Sequence, residues 1–193
     1  MNIALTRAAD GLPRWAFTVG DIRRMVEAGV LGEDERVELI EGDLVTMAAK
    51  GYAHELLKNA LTRAMISAAP DDVCVETTIQ FADNVLLEPD LAVIHRHRLI
   101  RSDAGFATVD RDDCLLIIEV AASSLNYDRG PKAKLYARLG VREYWVVDAN
   151  ERTTFVHTGP TENGWSSIVE RAAGETLTTP ALPNFAVKLS EID

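Results

Sequence analysis

The chain has 193 residues, 47% hydrophobic and 26% charged, with a formal net charge of −10. That is ordinary soluble globular material, long enough to bury a core, and its longest apolar runs fall far short of a membrane span. The acid excess argues against polyanion binding through the whole surface, leaves room for a local basic groove, and suits carboxylates gathered around a cation.

The length predicts one domain over 1–193, with 1–17 as an N-terminal extension. The opening MNIALTRAADGLPRW has no long apolar stretch and does not read as a signal peptide. The expectation is a cytoplasmic protein with no membrane partner. Cys74 and Cys114 lie in strand-like stretches with no metal or redox spacing, so both are expected as buried free thiols.

From Thr18, TVGDIRRMVEAGVLG predicts a helix capped by Thr18 with Asp21 and ended by Gly29 or Gly32. ERVELIEGDLVTM predicts a hairpin about Glu41-Gly42-Asp43. From Tyr52 to Ala69, apolar residues at 53, 57, 60, 61, 64, 65 and 68 form a helical stripe closed by Pro70. VCVETTIQF and NVLLEPDLAVIHR each predict one strand, the second with an edge, bulge or bend at Pro89. Residues 98–113 predict a polar loop with a short helical turn. DCLLIIEV is apolar on both faces and predicts a central strand. DRGPKAKLYARLG predicts a helix ended by Gly140, and REYWVVD and RTTFVHT a hairpin about 148–151. Tyr144 and Trp145 belong to the core or to a dimer contact, and Trp165 to a hairpin. The sum is α/β or α+β: a mixed central sheet flanked by helices, with short strands at the C-terminus.

Three acids fall on predicted strands: Glu38, Asp90 and Glu119. A buried acid is costly unless paired or metal-bound. Two from neighbouring strands can hold one Mg²⁺, which takes oxygen ligands and keeps waters or substrate phosphate for the rest. A lysine beside them would orient the attacking water and stabilise the developing charge. Its expected position, two residues after Glu119 on the same strand face, is Ala121. Asp128, Lys132 and Tyr136 share one face of the following helix, which offers Lys132 as a replacement; spacing alone does not single it out over Lys134.

EPDLAVI, IIEVAASSLNYDRGPKAKLYARLGVREYWVVD and ERVELIEGDLVTM with the histidine after it resemble the bacterial "putative restriction endonuclease" domain family, within the PD-(D/E)xK superfamily. The resemblance runs from Thr18 to the end. It implies an αβββαβ restriction-endonuclease-like core with C-terminal β-hairpins. It further implies a Mg²⁺ site (Mn²⁺ as substitute), phosphodiester hydrolysis in DNA and a migrated lysine. By position, Asp90 and Glu119 would be metal ligands and Lys132 the catalytic lysine. Glu38 would be a further acid near the metal and His54 a helix residue close to the site. Ala121 and Ala122 in EVAASS remove a hydroxyl more usual in the family. The rival reading is a catalytically silent nuclease fold serving as a DNA-binding or protein-interaction module; a homodimer is expected in either case. HRHRLIR at 95–101 reads as a solvated basic loop, with phosphate contact as its sharper role. His95 and His97 lack a third partner for a zinc site.

Overall fold

The structure is a computed structural model describing residues 15–32 and 35–193. Most of the expected N-terminal extension lies outside the described residues. The described chain falls into two compact units. The first takes its residues from 15–48, 78–88 and 101–108, and the second from 49–77, 89–100 and 109–193.

In the first unit α1 (Val19–Glu27) starts with a reciprocal cap. Thr18 Oγ1 accepts the Asp21 N–H, and the Asp21 carboxylate accepts the Thr18 N–H at 2.8 Å. Gly29, at φ 68°, supplies the left-handed stop. Strands β1 (Val37–Ile40) and β2 (Asp43–Thr46) form the expected hairpin. Glu41 and Gly42 both have positive φ, as a two-residue loop between twisted strands requires. With β4 (Ile79–Ala82), β5 (Val85–Leu87), β7 (Ile100–Arg101) and β8 (Ala107–Thr108), the sheet order is β2-β1-β5-β4-β8-β7.

In the second unit, six strands run in the order β12-β11-β10-β9-β6-β3. They are β3 (Val73–Val75), β6 (Leu91–Ile94), β9 (Cys114–Ala121), β10 (Glu143–Asp148), β11 (Thr154–Thr161) and β12 (Gly164–Arg171). The apolar run LLII is central, as expected. Side chains alternate along β9. Leu116, Ile118 and Val120 pack with Leu57, Leu61 and Met65 of α2 (Tyr52–Ala68) and with the hairpin of β13 (Leu177–Thr179) and β14 (Leu182–Val187). Ile117, Glu119 and Ala121 point to the other face.

Strands β9 and β10 are parallel, with Val146 opposite Glu119. The chain between them must therefore cross back over the sheet. It does so through α3 (Leu125–Tyr127), a π-helical turn at Asp128–Lys132 and α4 (Ala133–Arg138). Pro131 has no N–H to give to a regular turn, and the Ala133 N–H reaches back five residues to the Asp128 carbonyl. Trp165 Nε1 donates to the Ala133 carbonyl at 2.8 Å, and the Tyr136 and Tyr144 rings meet at 4.9 Å, which fix the crossover to the sheet.

Four expectations are corrected. VCVETTIQF is two strands, broken where Glu76 takes φ 44°, and NVLLEPDLAVIHR is two strands, broken at Glu88–Asp90. Both breaks coincide with the passage between units, and the Glu76 N–H donates to the Asp90 carbonyl at 3.1 Å. The polar stretch 98–113 carries β7 and β8, with a 3₁₀ turn just before at Arg96–Arg98. Cys114 is buried but Cys74 only partly so; both thiols are free. Tyr144 and Trp145 are wholly buried, which makes them core residues.

Leu61 has no exposed surface and lies at the centre of the α2 packing. Leu61→Ala is expected to lower stability by about 2–5 kcal/mol, read from urea denaturation.

Candidate active site

The register of β6 on β9 pairs Leu91 with Ile118 and Ala92 with Ile117. Asp90 immediately precedes Leu91, at the start of β6, and Glu119 follows Ile118 on β9, so the two acids flank the first paired position of these neighbouring strands. Both acids are buried, at 4% and 6% exposure. At the start of β6 a side chain takes over from the backbone ladder: Asp90 Oδ2 accepts the Val120 N–H at 2.9 Å.

Two further side chains contact Asp90, His54 and Lys50, and both are tied to other acids. His54 Nε2, on the first turn of α2, lies 3.0 Å from Oδ2, and its Nδ1 lies 3.2 Å from Glu55. Each ring nitrogen thus faces a carboxylate. Lys50, just ahead of α2, donates to Oδ1 at 2.8 Å and also bonds Glu76. Lys58 joins Glu76 at 3.0 Å and Glu55 at 2.9 Å. Burial alone would raise the pKa of Asp90; the hydrogen bond and charge of His54, then of Lys50, outweigh it and hold the carboxyl at about 2. Burial likewise opposes ionisation of Glu76, and Lys50 and Lys58 reverse that and lower its pKa.

Glu119 has its own cation. Lys132 Nζ lies 2.9 Å from Oε1, and Tyr136 Oη donates to the same oxygen at 2.8 Å. The π-helical turn brings Lys132 to this position, where it is 5% exposed. Lys134 is exposed. The alternative left open by spacing is decided by contact: Lys132 is the lysine on Glu119. Asp128, one turn earlier, is also buried.

Glu38 belongs to the first unit. It is buried there, and its Oε1 accepts the Glu88 N–H at 3.1 Å. The basic stretch forms an exposed turn; His95 lies 2.9 Å from Asp72, whose carboxylate also accepts the Arg96 N–H.

As a donor set for a cation, Asp90 and Glu119 offer hard oxygens on adjacent strands, which fits Mg²⁺. Among the described residues, no three His, Cys, Asp or Glu side chains group as a metal cage. A site of this kind therefore rests on two carboxylates, with water or phosphate completing it.

Residues 21–190 match the model of the Uma2 family, described as "Putative restriction endonuclease". The chain belongs to that family. The Uma2 chain also resembles a crystal structure described as "a putative nuclease belonging to DUF820" from Anabaena variabilis. The TM-score is 0.69 at 16% identity, over 91% of this chain and 97% of that one. The likeness shows the fold: a restriction-endonuclease-like mixed sheet flanked by helices. A comparison with curated proteins gives no match.

Sequence reasoning missed Lys50, Lys58 and Glu76. The signal available for Glu76 was the Glu-Thr-Thr interruption of an apolar strand pattern. For Lys50 there was only its place ahead of the helix that carries His54.

The folded pKa of Asp90 lies below its ordinary 3.8. The stabilisation is therefore complete above about pH 4 and lost as pH falls from about 4 to about 2, an amount of order 2 kcal/mol. In EDTA, denaturation of Asp90→Asn at pH 6 and pH 3 is expected to lack this component of the wild-type pH dependence.

Proposed function

We propose that this Uma2 chain is a Mg²⁺-dependent endonuclease that hydrolyses phosphodiester bonds in DNA, with Asp90 and Glu119 as metal ligands and Lys132 as the catalytic lysine. The observation that carries the reading is the burial of two carboxylates, Asp90 at the start of β6 and Glu119 on the neighbouring β9, with Lys132 at 2.9 Å from Glu119. Family membership supports a nuclease activity, and the family description supports DNA as its substrate.

The residues divide the work. Asp90 and Glu119 would hold the cation; when bound, it supplies Lewis acidity, lowering the pKa of a water and offsetting phosphoryl charge. Lys132, fixed by Glu119 and by burial, orients the attacking water and stabilises charge on the non-bridging oxygens. Tyr136 holds the Glu119 carboxylate in one rotamer through its 2.8 Å hydrogen bond. His54 does the same for Asp90 at 3.0 Å, with the Val120 N–H as a fixed third point.

The test is cleavage of supercoiled plasmid with Mg²⁺ or Mn²⁺. Asp90→Ala and Glu119→Ala are expected to fall to background. Lys132→Ala is expected to lose about 10²–10³-fold in rate, the usual cost of one charge-stabilising donor. EDTA should stop the wild-type reaction and added Mn²⁺ restore it. Wild-type-level cleavage by both acid variants would remove the assignment. DNA left intact by wild type but bound by it would make the fold a binding module.

A further inference from the structure

We propose that Lys50 and the divalent cation compete for one oxygen of Asp90, so that Lys50 sets the metal affinity of the site. The inference rests on the reading of Asp90 as a metal ligand and adds to it a residue that opposes loading.

The contacts of Asp90 are unequal. Oδ2 accepts from the Val120 N–H, a backbone group of the central strand, and faces His54 Nε2, a ring held on the first turn of α2. Neither can leave without disturbing an element. Oδ1 accepts from Lys50 Nζ at 2.8 Å, the end of a four-carbon chain on the short segment between β2 and α2. A cation that reaches Asp90 therefore does so at Oδ1, where a positive charge already stands. Two cations at that oxygen repel each other, and in a buried site the repulsion is screened far less than in water.

The displaced lysine has a place to go. Lys50 Nζ already bonds Glu76 Oε1, and Glu76 is anchored from two directions. Its side chain is held by Lys58 at 3.0 Å, and its N–H donates to the Asp90 carbonyl at 3.1 Å. Its backbone, at φ 44°, is in a region that non-glycine residues seldom occupy, so the surroundings hold it there. Lys50 thus bridges two acids, and loading transfers it from a shared position to Glu76 alone. Lys132 differs: it sits on Glu119 within the rigid crossover, where the reaction requires a cation. The lysine on Asp90 opposes metal and the lysine on Glu119 serves the chemistry.

The test uses the full chain and Mn²⁺ alone. By calorimetry, Lys50→Met is expected to bind Mn²⁺ at least about tenfold more tightly than wild type, since removing a competing charge from a buried carboxylate favours the remaining cation. Adding Asp90→Asn should abolish the gain. A second measurement needs no variant: in wild type, saturating Mn²⁺ should raise the acetylation rate of Lys50, followed by peptide mass spectrometry, while exposed Lys134 stays constant. If Lys50→Met does not fold, the acetylation result alone decides. Mn²⁺ binding and DNA cleavage by wild type, with no gain in Lys50→Met or no change in Lys50 labelling, would overturn the competition and leave the nuclease reading standing. Absence of both Mn²⁺ binding and cleavage in wild type and variant would overturn both.

Discussion

The second unit is organised around a conflict between burial and charge. Two carboxylates lie beside neighbouring strands rich in Leu, Ile and Val, and each is almost wholly removed from solvent. An unpaired carboxylate there would cost several kcal/mol. The chain answers with a cation for each acid: Lys50 on Asp90 and Lys132 on Glu119. Hydrogen bonds from Val120, Tyr136 and His54 complete the neutralisation. Remove the acids and Lys132, buried, and Lys50, half-buried, would need new partners; remove the lysines and the carboxylates would need water. Buried pairs of this kind are weak as sources of stability. Their retention fits a site better than a core.

Topology supplies one of those cations. A parallel β9–β10 pair demands a crossover, and a crossover must lie on a face of the sheet. The face it covers is the one that bears Glu119, since the opposite face is filled by α2 and the β13–β14 hairpin. A lysine anywhere on the inward side of that crossover is carried toward the acid. The turn about Pro131 selects which residue arrives, and it is Lys132.

The elements were largely legible in the sequence because their signals are local. The Thr18 cap, the Glu41-Gly42 turn, the α2 stripe and the all-apolar β9 each follow from a few adjacent residues. The burial of Asp90 and Glu119 was foreseeable because both lie against apolar strand segments. What was not legible is what depends on contact across the chain. The residues that carry Lys50 and Glu76 toward Asp90 are 40 and 14 positions away, and no spacing rule connects them. The breaks at Glu76 and Glu88–Asp90 were missed for the same reason. Each segment taken singly has the pattern of one strand, and only their mutual hydrogen bond shows that both change sheets together. Lys132, and not Lys134, could be settled only by contact, because spacing does not show which face of the crossover meets Glu119.

The long sequence separations within the site have a consequence for the order in which the protein is made. His54, Asp90 and Glu119 come from elements that emerge well apart during synthesis, and Lys132 is positioned only once β10 has paired with β9. Contacts of this range form late in folding. A nascent or partly folded chain therefore presents separate, hydrated carboxylates and mobile lysines. The completed charge arrangement therefore appears only with the completed sheet.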